Sequence, residues 1–272
     1  IVAVQALYAF AARYWSPLIG IIAATLLAVS HNAIYYSQEA RAYIFILLFA
    51  IWHWHLLFRL VIDQEKNRWL WIGFWLVGAL LCYFHYVGVV FVFTEALGLL
   101  VLPLLRQPFS VVLKLFLPIG FLYLPWIPVV WNQMLHPQAT WVTAAPDWVV
   151  MVRTFRFVWG PANVLLYPMC ALFIGYLLTI FWRYKARLLS IADQRLLLLV
   201  ALGLLPWLLF LVKSYVSESA YTVRHFIYFI PVSVLVIAHS LAAIIHFLMP
   251  RCSVRLFFVL LAALIWAVMF VN

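Results

Sequence analysis

Apolar residues in this chain gather in long runs, each closed by a short polar break, with no sign of strand-like alternation. The runs fall at 1–12, 17–36, 42–62, 69–84, 87–105, 111–131, 164–182, 195–212, 225–247 and 256–271. Most approach the ~20 residues that a helix needs to cross a bilayer. The pattern predicts an all-α, polytopic transmembrane bundle of about ten spans. Runs 69–84 and 87–105 stand close enough to be joined, but one helix over both, at ~1.5 Å per residue, would be roughly 55 Å long. The break at His85-Tyr86-Val87-Gly88 is therefore expected to turn the chain. The one long polar loop, 132–163, holds Pro146 and then Asp147, a helix N-cap signal. Beyond it, Trp148, Val152, Phe155 and Trp159 share one helical stripe, and Arg153 and Arg156 lie on another. That is the pattern of an amphipathic helix lying in the membrane interface, where the arginines meet anionic lipid headgroups. No internal repeat is evident, which argues against transporters built from two matching halves.

Composition supports the membrane reading. Hydrophobic residues make up 69% and charged residues 9%, with a mean hydropathy of +1.13, far from the balance of a soluble domain. The net charge of +10 then reports topology and not a nucleic-acid partner. Of the 17 basic residues, twelve (Arg13, Arg59, Lys66, Arg68, Arg106, Lys114, Arg183, Lys185, Arg187, Arg195, Arg251, Arg255) fall on one set of alternate loops. Five (Arg41, Arg153, Arg156, Lys213, Arg224) fall on the other. By the positive-inside rule the second set faces the extracytoplasmic side. Cys82, Cys170 and Cys252 form neither a disulfide framework nor a zinc spacing. The chain opens at Ile1 inside an apolar run with no basic start, as expected of a segment of a longer protein and not of a signal peptide.

Few residues remain that could carry chemistry. Tyr35-Tyr36-Ser37-Gln38-Glu39-Ala40-Arg41 places an acid and a base at an outer membrane edge. Helix capping would account for Ser37 as N-cap and Glu39 in the first turn. It leaves Arg41 unexplained, because a cation is unfavourable at a helix N-terminus. His85-Tyr86 occupies the next outer turn, where a histidine can simply cap a helix. Arg224-His225 closes the last outer loop, where an arginine can simply snorkel. Three outer turns that each bring a cationic or ionisable group to one face suit a bound phosphate. Glu95 lies near a span's centre, where a lone carboxylate is expected to be protonated or hydrogen-bonded. His53 and His55, two apart, point to nearly opposite sides of a helix and are expected to pack or hydrogen-bond between helices. Glu218 is the best remaining outer acid.

The run Ser30-His31-Asn32-Ala33-Ile34-Tyr35-Tyr36-Ser37-Gln38-Glu39-Ala40-Arg41-Ala42-Tyr43 resembles the third-helix signature of bacterial GT-C glycosyltransferases. These are relatives of the dolichyl-phosphate-mannose protein mannosyltransferases and the lipid A aminoarabinose transferase. Tyr83-Phe84-His85-Tyr86-Val87-Gly88, then Pro125-Trp126-Ile127-Pro128 before a loop with Trp141 and Pro146, and finally Arg224-His225-Phe226-Ile227 through Pro231 are similar to later family elements, in order. The resemblance implies an inverting transferase in the bacterial inner membrane. Its donor is a polyprenyl-phosphate sugar, and its acceptor is a hydroxyl on a lipid, glycan or protein at the extracytoplasmic face. Substrate contacts are expected from Tyr36, Glu39, Arg41, His85, Tyr86, Arg224 and His225, with Arg41 and Arg224 on the lipid phosphate. No cofactor is expected. The family's catalytic acid belongs to a first outer loop upstream of Ile1, so the segment alone is expected to be inactive, with Glu39 orienting Arg41. The family's usual tyrosine after the late arginine is His225 here. Two other readings use the same outer cations: a transporter or flippase of lipid-linked saccharides, and a polymerase or ligase of lipid-linked glycans.

Overall fold

The computed structural model describes residues 1–39, 41–102, 106–136, 145–159, 163–217, 219 and 221–248. Among them the fold is helical throughout: α1 (Val2–Tyr14), α2 (Pro17–Ala28), α3 (His31–Gln38), α4 (Tyr43–Val61), α5 (Arg68–Phe84), α6 (Tyr86–Val101), α7 (Phe109–Tyr123), α8 (Ile127–Leu135), α9 (Trp148–Trp159), α10 (Asn163–Lys185), α11 (Ile191–Val216) and α12 (Phe229–Leu248). Among the described residues, four stretches are long and apolar enough to cross a membrane: α4, Phe109–Gln133 through α7 and α8, α11, and α12. The bent pair α2–α3 raises the number to five if it counts as one span. α5 and α6 are shorter apolar helices. The chain is thus a helical membrane protein. Outward-facing Leu76, Phe93, Leu117, Phe121, Leu208 and Phe247 are all more than 40% exposed, a surface suited to lipid and not to water.

Local signals set the helix starts. Ser16 accepts from the Ile19 amide at 3.2 Å with Pro17 next, Asn67 accepts from the Trp69 amide at 2.9 Å, and Ser190 forms a reciprocal capping box with Asp193. That box starts α11 at Ile191, earlier than the expected 195. Asp193 is nearly buried there because Arg183 pairs with it at 3.1 Å. The expected continuous span 17–36 is instead broken: α2 and α3 meet at 56°, with extended backbone at Ser30. The polar trio Ser30-His31-Asn32 marks the break. The expected run 256–271 and Cys252 lie outside the described residues.

α12 is the most buried of the four candidate spans, with 67% of its apolar window inside the bundle, and it packs on α2, α4, α9, α10 and α11. Phe109–Gln133 is peripheral, with 17% buried. The bundle's two ends differ in chemistry. At one end Arg13 pairs with Asp63 (2.9 Å) and Glu65 (2.7 Å), Arg59 pairs with Glu65 (2.7 Å), and Arg195 donates to the Tyr14 carbonyl (3.0 Å). The other end gathers the residues described next.

Candidate functional site

α3 ends where its motif turns polar. Ser37 Oγ donates back to the Ile34 carbonyl at 2.6 Å, a side-chain bond that competes with the helix ladder. The Glu39 amide closes the last turn on Tyr35 (3.2 Å), and the Arg41 amide donates to the Glu39 carbonyl (2.8 Å). α4 then starts after Ala42 with no side-chain cap. The capping reading of this motif is therefore overturned: Ser37 is the penultimate residue of α3 and Glu39 is its C-cap. Glu39 and Arg41 form a linker between α3 and α4, in which Arg41 Nε lies 3.6 Å from Glu39 Oε2. That distance is an ion pair but too long for a hydrogen bond.

Below the linker, aromatic rings pass from helix to helix. Tyr36 meets Tyr43 edge-on at 5.2 Å, and Phe157 of α9 at 5.8 Å. Tyr43 meets His85 at 5.4 Å and carries the Arg224 guanidinium 5.7 Å above its ring, a cation–π contact worth about 0.5–2 kcal/mol. His85 lies 4.2 Å from Tyr86 and 5.3 Å from His225. Tyr86 Oη and His225 Nε2 are 2.7 Å apart. Arg224 and His225 are presented by a 3₁₀ turn, Val223–Phe226, that leads into α12. The seven expected contact residues thus come to one end of the bundle from three separate segments.

The α5–α6 turn that carries His85 and Tyr86 is a single-residue break. His85 alone separates the helices, and its Nδ1 accepts from the Val87 amide at 3.2 Å. Gly88 makes the sharp turn feasible, since a Cβ there would lie 1.9 Å from the Leu81 carbonyl oxygen. Burial, with a smaller contribution from the Arg224 charge, pushes His85 down to about 4. The ring is neutral at physiological pH, and because Nδ1 accepts, its proton sits on Nε2. His85 is therefore a helix cap and a neutral donor. It does not add a third charge beside the permanent cations Arg41 and Arg224.

Several buried polar atoms at this end have no hydrogen-bond partner among the described residues: Glu39 Oε2, Thr222 Oγ1 and Arg224 Nε. Native interiors rarely leave such atoms unsatisfied. Among the described residues no three His, Cys, Asp or Glu side chains gather to hold a metal. Glu218 and Trp141 lie outside the described residues. Sequence reasoning did not single out Tyr43, Thr222 or Phe157. Tyr43 was visible as the last residue of the signature run, whereas Phe157 required knowing where α9 docks.

The chain matches no family model, no curated protein and no solved structure.

Proposed function

We propose that this chain is a membrane glycosyltransferase of the GT-C kind, with about ten spans, set in the bacterial inner membrane. It moves a sugar from a polyprenyl-phosphate donor to a lipid, glycan or protein hydroxyl at the extracytoplasmic face, with inversion. The observation that supports this reading is the convergence of Arg41 and Arg224 on one aromatic-lined end of the bundle. There Arg224 Nε and Thr222 Oγ1 are buried without hydrogen-bond partners among the described residues.

In an inverting transfer the acceptor oxygen attacks the anomeric carbon while the carbon–oxygen bond to the lipid phosphate breaks. The departing phosphate keeps the electron pair, and fixed cations stabilise the charge that develops on it. Arg224, stacked on Tyr43, and Arg41, on its linker, are placed for that task. The Nε2–H of neutral His85 adds a donor without a charge, and Tyr36, Tyr86 and His225 line the remaining wall. A carboxylate must take the acceptor proton. Glu39 is paired with Arg41 at 3.6 Å and orients it, so the base is assigned to another carboxylate.

The test is radiolabelled sugar transfer from a polyprenyl-phosphate donor by the full-length protein in membranes. Arg41→Ala and Arg224→Ala are expected to reduce transfer sharply. Turnover near wild type in both variants would remove the assigned roles.

A second reading, a transporter or flippase of lipid-linked saccharides, draws on the buried His53–Glu95 pair near the bundle's midplane, the kind of ionisable feature that marks transport pathways. It predicts saccharide translocation in proteoliposomes without any transfer product.

A further inference from the structure

At ~100° per residue, α9 carries three faces. Thr154, Phe157 and Val158, each less than a tenth exposed, face the bundle. Thr154 Oγ1 lies 2.8 Å from Tyr221 Oη, the Tyr36 ring meets Phe157 edge-on, and Asn32 Nδ2 donates to the Phe157 carbonyl. These contacts fix the rotation of the helix and leave two further faces at the edge of the bundle. One presents Trp148 (77% exposed) and Phe155 (40% exposed), whose ring also meets Trp207 of α11 edge-on at 6.4 Å, with Val152 next to Trp148 on the wheel. The other presents Val149, Arg153 and Arg156, all exposed.

Neither arginine has an ion pair among the described residues, and the described carboxylates are engaged elsewhere. Asp63, Glu65 and Asp193 serve the opposite end, Glu95 faces His53 in the core, Glu39 faces Arg41, and Asp147 accepts from the Val150 amide as the cap of α9 itself. An exposed tryptophan and a part-exposed phenylalanine, directly beside a two-arginine stripe, have the amphipathic order of a helix lying between acyl chains and headgroups. Charge selects the occupant, because two uncompensated guanidiniums favour phosphates that carry net negative charge over zwitterionic ones.

We propose that the outward side of α9 is a docking surface for anionic phospholipid, with Arg153 and Arg156 on headgroup phosphates and Trp148 and Phe155 in the acyl–headgroup boundary. The surface operates whether or not the protein transfers sugar, and its test does not read transfer. Amide hydrogen exchange is measured on the full chain in nanodiscs of phosphatidylcholine alone and of phosphatidylcholine with phosphatidylglycerol.

Amides across 148–159 are expected to exchange more slowly in the anionic discs, by up to about thirtyfold for two arginines near a charged surface. R153Q/R156Q is expected to lose that increment while matching wild type in neutral discs, since neither arginine holds α9 to the bundle. Raised salt is expected to remove the increment in wild type. Equal exchange in the two discs, or an increment that survives in R153Q/R156Q, overturns the proposal. Protection of the same amides by inorganic phosphate in neutral discs also overturns it, because the arginines would then hold a free anion and not a lipid.

Discussion

His53 Nδ1 of α4 lies 2.7 Å from Glu95 Oε2 of α6, and both side chains are fully buried. The His53 ring stacks on Phe74 at 4.2 Å, and it has room because Gly78 offers no Cβ; one there would lie 2.8 Å from His53 Nε2. α4 begins at Tyr43 and α6 at Tyr86, so this pair sits ten and nine residues below two rings of the site. It fixes the register between the helices that carry them. Removing one partner of such a pair costs on the order of 3–5 kcal/mol, because the other is left uncompensated. His53→Leu and Glu95→Leu are each expected to lower the thermal stability of the purified protein strongly. The double replacement is expected to recover most of the loss, so a double variant no better than the singles would contradict the coupling.

Gly88→Ala tests the single-residue turn. Its Cβ cannot coexist with the Leu81 carbonyl at 1.9 Å, and the obstacle is backbone, which cannot swing aside as a side chain would. α6 must shift, at a cost of about 1–3 kcal/mol, taking Tyr86 away from His225. The expected outcome is a lowered unfolding temperature together with a loss of transfer larger than that caused by Val89→Ala one residue on.

Arg224→Lys separates charge from shape. Lysine keeps the cation but loses the planar guanidinium that lies over Tyr43 and could grip a phosphate through two N–H groups. Transfer is expected to fall by about 10²–10³-fold in Arg224→Ala, the cost of losing one transition-state charge contact. It is expected to recover only in part in Arg224→Lys. Full recovery by lysine would show that the planar fork contributes nothing.

His85 gives a pH signature. Its folded value, about 4, lies below its ordinary value of 6.5. Above pH 6.5 both folded and unfolded forms are neutral, so the group adds no pH dependence. As pH falls from 6.5 towards 4, the unfolded chain takes a proton that the folded chain refuses, and stability is lost across that window. Thermal stability measured against pH is expected to show this loss in wild type. His85→Gln, which can still accept from the Val87 amide, is expected to show less of it; an identical slope in the two proteins would mean that His85 titrates freely.

Helical spans were legible because a bilayer demands uninterrupted apolar stretches, and α4, α5 and α12 lie close to their expected limits. The turn at His85 was legible from helix length alone, and α9 from Asp147 and its stripes. The bend between α2 and α3 was less so, since an apolar count cannot tell one span from two helices at 56°. The N-cap alternative for the motif was not decidable from sequence for a related reason: Ser37 and Glu39 suit either end of a local break, and only the hydrogen bonds show which helix they close. Arg41, His85 and Arg224 could be assigned to one membrane face by charge counting. The meeting of His85 and Arg224 at the Tyr43 ring could not, because distance within a face depends on how helices pack. Glu95 looked solitary for the same reason, although a buried acid in an apolar chain was itself a sign that a partner stood on another helix.

Arg224 and Arg41 reach the same end of the bundle on unequal mechanical supports. The turn holding Arg224 runs straight into α12, the spindle of the bundle, so a pull on that guanidinium is resisted by five neighbouring helices. Arg41 rides on a linker with its side chain 54% exposed, tethered by the 3.6 Å ion pair to Glu39 on the same linker. Together they act as a vice with one fixed jaw and one sliding jaw. An anion seated against Arg224 would find its position already set, and only Arg41 would surrender conformational freedom in closing on it.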